Sequence, residues 1–323
     1  MPSFRSSLQT TRALPPLARP RTLIGRDLLS LADLAPAETT FLIDLGIRVK
    51  TQPSLYRQSL EGKTLAMLFE KPSLRTRVTF EVGMSQLGGH ALYLGSQEVG
   101  LGKREAIKDV ARNLTRWVDA VMARVFEHGS LVELAKHASI PVINGLSDIE
   151  HPCQALGDFM TLHEHKQKLS GLTLAWVGDG NNVVHSLIHG AARLGVRMRV
   201  ATPPGYGPNP VVVDAARREG GSIELTNDPA EAVAGADAVY TDAWASMGQE
   251  AEAEARQQVF RPYQVNARLM RRAGAKALFM HCLPAHRGLE VTDEVIDGQK
   301  SIVYDQAENR LHIQKAILLA LLG

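Results

Sequence analysis

The sequence predicts an α/β protein built from two doubly wound, parallel-sheet domains. Three observations lead there. Apolar runs of strand length, such as residues 64–69, 120–124 and 173–177, alternate with segments whose apolar residues recur at helical spacing. That alternation produces parallel sheets covered by helices on both faces. At 323 residues the chain is long enough to divide between two cores. Chemically able residues also cluster directly after the apolar runs, where open parallel sheets hold their ligands.

Composition narrows the function classes. Apolar content of 45% and charged content of 22% describe a globular protein, and a net charge of +2 is too small to imply nucleic acid as partner. Two cysteines, Cys153 and Cys282, do not make a disulfide framework and read as the reduced thiols of an intracellular enzyme. No apolar run reaches the length of a membrane span, residues 317–322 included. At the N-terminus, Arg5, Arg12, Arg19, Arg21 and Arg26 all precede the first acidic residue, Asp27. That bias suits an organelle address, but Pro15, Pro16 and Pro20 oppose an amphipathic helix. The expectation is a flexible tail over residues 1–22 on a cytoplasmic protein, with an organelle matrix as the alternative.

Taken in order, residues 26–34 and 35–50 read as helices, the second with Leu42, Leu45 and Val49 on one face. Residues 64–69 read as a strand that Pro72 interrupts; Ser73 then caps a helix carrying Phe80, Met84 and Leu87, which Gly88 and Gly89 end. A strand at 91–94, a polar glycine-containing loop at 95–103, a helix at 106–117, a strand at 120–124, a helix at 131–136 and a strand at 141–144 follow. A long polar helix from about Gln154 bridges the halves, with the boundary near 163–172. The second half repeats the alternation with strands at 173–177, 198–202, 223–225, 238–241 and 277–280, and an apolar last helix at 310–322 packs back across the boundary.

Several stretches carry chemistry. Within five residues of a helix start, Ser73, Arg75, Thr76 and Arg77 add hydroxyls and guanidiniums to free backbone N–H groups and a positive helix end, which suits a phosphate. Arg124 ends a strand. His151 and Gln154 stand at i and i+3 at the start of a helix, where His151 either caps that helix or, with Gln154, donates towards one carbonyl oxygen. The run Gly178 to Asn182 has the shape of a dinucleotide turn, yet Val183 replaces the final small residue and the next strand ends in Thr202 and Pro203 rather than an acid, so the cofactor chemistry is missing. Asn182 instead suits an amino-acid carboxylate. Asp242 precedes the turn Ser246, Met247, Gly248, and His281, Cys282, Leu283 and Pro284 follow another strand; the Leu-Pro step suits a cis bond. Arg310 at the predicted start of the last helix opposes the helix dipole and calls for an anion.

The set Ser73-Leu74-Arg75-Thr76-Arg77, His151-Pro152-Cys153-Gln154, Gly178 to Asn182, Asp242 with Ser246-Met247-Gly248, and His281-Cys282-Leu283-Pro284 resembles the transcarbamoylase family, its ornithine branch in particular. The resemblance implies two α/β domains: residues 23–165 for carbamoyl phosphate and 166–305 for ornithine, with 306–323 a helix packing back on the first. It implies trimers or multiples of trimers, L-ornithine and carbamoyl phosphate as partners, and neither metal nor organic cofactor. It assigns Ser73, Leu74 (through its backbone), Arg75, Thr76, Arg124, His151, Gln154 and Arg310 to carbamoyl phosphate. Asn182, Asp242, Ser246 and Met247 fall to ornithine, and Cys282 and Leu283 lie between the two; the catalytic set is Cys282, Arg75, His151 and Asp242. Two departures stand out: Leu74 replaces the family's threonine, and Gly100 replaces a glutamine that in many relatives reaches carbamoyl phosphate from a neighbouring subunit.

Overall fold

Residues 64–69 are apolar at nearly every position because the strand they form, β1 (Thr64–Phe69), is covered on both faces; Leu65 to Phe69 are all buried. The structure is a computed structural model that describes residues 23–245 and 252–323. The first half runs α1 (Pro36–Thr51), β1, α2 (Leu74–Gln86), β2 (His90–Gly95), α3 (Ser96–Val99), α4 (Ile107–Trp117), β3 (Ala120–Arg124), α5 (His128–His137), β4 (Val142–Leu146) and α6 (Pro152–Lys166). Its strands form a 4-stranded parallel sheet in the order β2-β1-β3-β4.

The second half runs β5 (Thr173–Val177), α7 (Asn182–Leu194), β6 (Arg197–Ala201), α8 (Pro210–Arg218), β7 (Ile223–Thr226), α9 (Pro229–Val233), β8 (Ala238–Thr241), α10 (Ala253–Phe260), α11 (Ala267–Met270), β9 (Leu278–His281), α12 (Asp293–Ile296) and α13 (Val303–Leu322). Its 5-stranded parallel sheet is ordered β7-β6-β5-β8-β9. The two-domain α/β architecture is as the sequence predicts. Each sheet reverses its strand order once, between β1 and β3 and between β5 and β8, the points at which open parallel sheets hold ligands.

Helix α13 joins the halves. It packs against α1, α2 and α6 of the first and β9 of the second, with Ile313, Ala316, Ile317 and Ala320 buried.

Four local expectations need correction. Residues 26–34 are not a helix: Leu28 makes a parallel bridge to Ile143 and Asp27 Oδ1 accepts Val142 N–H at 2.8 Å, leaving only a short 3-10 turn, Leu31–Asp33. The exposed edge of β4 captures backbone groups that a helix would have paired internally. The 95–103 loop contains α3, which ends at Gly100 in the left-handed region, φ +49°. Helix α6 is not a polar bridge, since Pro152 to Leu162 are all buried. Finally, α13 starts at Val303, so Arg310 lies well inside the helix, away from its dipole end, and the expected division at 306 falls within α13.

Candidate active site

Ser73 has extended backbone and its hydroxyl accepts Thr76 N–H at 3.3 Å, capping α2 as predicted. Arg75 and Thr76 therefore occupy the first turn, directly beyond the end of β1. Phe69 is in register with Arg124, the last residue of β3, so both strand ends stop at one level. Glu70 stitches them together: its N–H donates to Arg124 O at 2.9 Å and its Oε2 accepts Phe126 N–H at 2.7 Å. Arg77 turns away, lying over the Tyr93 ring at 3.9 Å.

Arg310 reaches the same place from α13. Its Nη1 donates to Gln154 Oε1 at 2.6 Å and its Nη2 to Thr76 Oγ1 at 3.2 Å. Burial, and then the neighbouring Arg310 and Arg75, push the Arg124 guanidinium down to about 10, still charged at neutral pH. The Nε atoms of Arg124 and Arg310 are buried with no partner among the described residues. Buried donors of one sign without acceptors call for an anion.

His151 precedes α6, but its side chain does not cap the helix. Its backbone N–H donates to Ser186 Oγ at 2.8 Å, while ring atom Nδ1 is buried without a partner among the described residues. Burial, then Arg310, Arg124 and Arg75, hold its pKa well below the usual histidine value, so the imidazole is neutral. Gln154 differs from expectation. Its Nε2 donates to Asp158 Oδ1 at 2.8 Å and its Oε1 faces Arg310, so it turns an acceptor, not a second donor, towards the arginines.

The opposite wall comes from the second sheet. Strands β8 and β9 pair Thr241 with His281, which sets the next residues, Asp242 and Cys282, side by side. The Cys282 thiol donates to Asp242 Oδ1 at 3.0 Å, and Ala243 N–H donates to the same oxygen at 2.8 Å. Asp242 Oδ2 accepts Asn181 Nδ2 at 2.8 Å. Burial, then the Asp242 charge, push the Cys282 thiol well above the usual range, so it is a neutral donor. Asn182, the expected carboxylate ligand, opens α7 and donates to Ser147 O at 2.5 Å; Asn181 is the cap. Leu283 has φ +59° and its bond to Pro284 is cis. His281 fixes this turn, its Nδ1 accepting Leu283 N–H at 2.8 Å and its Nε2 facing Glu290 Oε1 at 3.1 Å. Asp242, His281 and Cys282 bring one possible metal-ligand atom each within 4.8 Å of one another, but both His281 nitrogens are already engaged.

These groups line one cavity of about 590 Å³ between the two sheets. Ser73, Leu74, Arg75, Thr76, Arg124, His151, Gln154, Asn182, Asp242, Cys282, Leu283 and Arg310 all border it. Ser246 and Met247 lie outside the described residues.

Residues 26–164 match the family described as aspartate/ornithine carbamoyltransferase, carbamoyl-P binding domain, and residues 170–321 match its Asp/Orn binding domain. The chain belongs to the aspartate/ornithine carbamoyltransferase family. It is 55% identical over 308 residues to the ornithine carbamoyltransferase of Pyrococcus abyssi, covering 94% of this chain and 97% of that one. The structure of ornithine carbamoyltransferase from Pyrococcus furiosus superposes with a TM-score of 0.90 at 54% identity, covering 93% of this chain and 98% of that one. The Thermus thermophilus ornithine carbamoyltransferase gives 0.84 at 49% identity, covering 92% and 99%.

Of the residues bordering this cavity the sequence reading missed Trp244, Gln257, His286 and Glu290, and beside it the role of Asn181, which bonds Asp242. Asn181 had a signal, because its side-chain oxygen takes Val183 and Val184 N–H in the manner of an N-cap. The others sit in loops and on helix faces with no local pattern to mark them. Gly180 was read only as part of a turn; a Cβ there would lie 2.2 Å from the Gly207 carbonyl carbon, so close backbone approach requires the glycine.

Proposed function

We propose that this chain transfers the carbamoyl group of carbamoyl phosphate to the δ-amine of L-ornithine, releasing L-citrulline and phosphate. One observation carries the reading: a single cavity is bordered both by three guanidiniums, Arg75, Arg124 and Arg310, and by the hydrogen-bonded Asp242–Cys282 pair. The guanidiniums suit a phosphate and the carboxylate an amino acid's ammonium. The names of the relatives support the same reaction.

In this reading carbamoyl phosphate lies over the start of α2. Ser73 and the backbone of Leu74 bind its phosphate, and Arg75, Arg124 and Arg310 neutralise it. The uncharged δ-amine attacks the carbamoyl carbon, a tetrahedral intermediate forms, and the bond to the phosphate oxygen breaks as the carbonyl reforms. Arg75, Thr76 and neutral His151 donate to the transient oxyanion, a preorganised donor of this kind contributing about 2.7–4 kcal/mol. Gln154, through its acceptor oxygen, suits the carbamoyl NH₂. Leu283 borders both substrates, Asp242 meets the α-ammonium, and Asn182, Ser246 and Met247 belong to the ornithine side. Holding the two reactants together supplies much of the remaining acceleration. The proton lost by the attacking amine leaves with the phosphate as hydrogen phosphate, so the transfer is redox-neutral and balances without a cofactor.

The reading places residues 23–165 with carbamoyl phosphate and 166–305 with ornithine in a cytoplasmic homotrimer. Leu74, Val78 and Val82, spaced at i, i+4 and i+8 on α2, and Leu92 on edge strand β2 are exposed, as residues covered by another subunit would be. Gly100 is held at φ +49°, and a Cβ there would lie 3.0 Å from Arg104 Cβ, so this backbone disfavours the glutamine found in relatives. Purified protein given both substrates should yield citrulline in a colorimetric assay. Absence of citrulline overturns the reading and leaves a carbamoyl phosphate-binding protein.

A further inference from the structure

We propose that Asp158, which lies outside the cavity, is a positioning residue that orients two glutamine amides and through them both Arg310 and the backbone before Cys282. The inference rests on the carbamoyl-transfer reading above.

Asp158 sits on α6 and is fully buried, as are Tyr240 and, nearly so, Gln154 and Gln306. Its Oδ1 accepts from Gln154 Nε2 at 2.8 Å and from Gln306 Nε2 at 2.9 Å, and its Oδ2 accepts from Tyr240 Oη at 3.0 Å. Burial raises its carboxyl only to about 6, so at pH 7.5 it is ionised and can only accept. Both amides must therefore turn their nitrogens towards Asp158 and their oxygens away. The far partners agree. Gln154 Oε1 accepts from Arg310 Nη1 at 2.6 Å, and Gln306 Oε1 accepts from the His281 backbone N–H at 3.0 Å. A guanidinium and a backbone N–H can only donate, so flipping either glutamine would set donor against donor at the far partner and oxygen against oxygen at Asp158.

One carboxylate thus touches the elements that carry both halves of the site. Helix α6 bears His151 and Gln154, Tyr240 lies two residues before Asp242, and Gln306 links α13 to the strand end that presents Cys282. Asp158 contacts no cavity space itself.

The test uses full-length Asp158→Leu, Asp158→Asn and Gln306→Met at pH 7.5, with steady-state kinetics for both substrates and calorimetric titration of inorganic phosphate. Asp158→Leu should weaken phosphate binding and raise KM for carbamoyl phosphate about tenfold, the worth of a hydrogen bond to a charged group, and should lower kcat as well. Gln306→Met cuts only the Cys282 arm, so kcat should fall about tenfold while KM for carbamoyl phosphate stays within about twofold. Asp158→Asn can still accept both glutamines at Oδ1 while its amide donates to Tyr240 Oη, so it should remain within about threefold of wild type.

Asp158→Asn as damaging as Asp158→Leu would assign the effect to charge and overturn the proposal. So would a folded Asp158→Leu with wild-type phosphate affinity, or Gln306→Met with unchanged kcat, which decides the matter if Asp158→Leu does not fold. An inactive wild type would instead overturn the reaction itself, while the phosphate titration still reports whether Asp158 positions Arg310.

Discussion

The Cys282 thiol donates to Asp242 Oδ1 at 3.0 Å, although the two residues are forty positions apart. Adjacent parallel strands in register make the meeting unavoidable, since Thr241 and His281 are paired. A thiol raised well above its usual pKa by burial and by the Asp242 charge is a hydrogen-bond donor that helps hold the carboxylate, not a nucleophile.

That state of Cys282 has a direct chemical readout. Iodoacetamide should label it slowly at pH 7.5 and faster only in strongly alkaline buffer, followed by mass spectrometry at this peptide. Cys282→Ser, which retains a donor, should keep more activity than Cys282→Ala. Rapid labelling near neutrality would show a thiolate and refute the neutral-donor assignment.

Asp242 should select the acceptor. An acylated α-amine carries no charge, and seating it against this carboxylate would leave the anion desolvated at a cost of about several kcal/mol. Ornithine should therefore exceed N-acetylornithine, putrescine and aspartate in kcat/KM. Asp242→Asn should lose ornithine turnover with little change in carbamoyl phosphate affinity. Full activity in that variant removes Asp242 from the α-ammonium.

Three buried or half-buried arginines with depressed pKa values repel one another until an anion arrives. Carbamoyl phosphate or inorganic phosphate should raise the melting temperature, and Arg310→Ala should weaken that rise. In calorimetry, ornithine should bind weakly or not at all until carbamoyl phosphate is present. Tight binding of ornithine alone contradicts this order.

Glu150, beside His151, supplies a pH test. It is buried against Ser30, Ser186 and Leu31 N–H, and burial raises its carboxyl to about 7. His189, 3.7 Å away, is held at about 4 and is neutral through this window. Because the folded pKa lies above the unfolded one, the contribution of Glu150 is fully present below the unfolded value and is lost as pH rises through about 7, a change on the order of 3 kcal/mol. Glu150→Gln does not titrate, so its melting temperature relative to wild type should climb by a few degrees between pH 5 and pH 8. A pH-independent difference between the two proteins would sink the assignment.

Much of this molecule is local in origin. The apolar runs that became β1, β3 and β5 are continuous because parallel strands are buried on both faces, and Ser73 caps α2 through its own neighbours. Such features depend on residues a few positions apart, so the sequence reveals them. Residues 26–34 mark the limit: their spacing suits a helix, but the unpaired edge of β4, more than a hundred residues away, claims Leu28 and Asp27.

The sequence by itself therefore determined the two-domain α/β class, most strand positions, the Ser73 cap of α2 and many of the residues that border the cavity. Only the tertiary structure decided that Arg310 enters from the middle of α13, that Asn181 rather than Asn182 bonds Asp242, and that Gln154 presents its oxygen to Arg310. The reason is physical: an amide or guanidinium is oriented by whichever donors and acceptors surround it, and here those partners come from α6, α13, β8 and β9, which meet only when both sheets are folded.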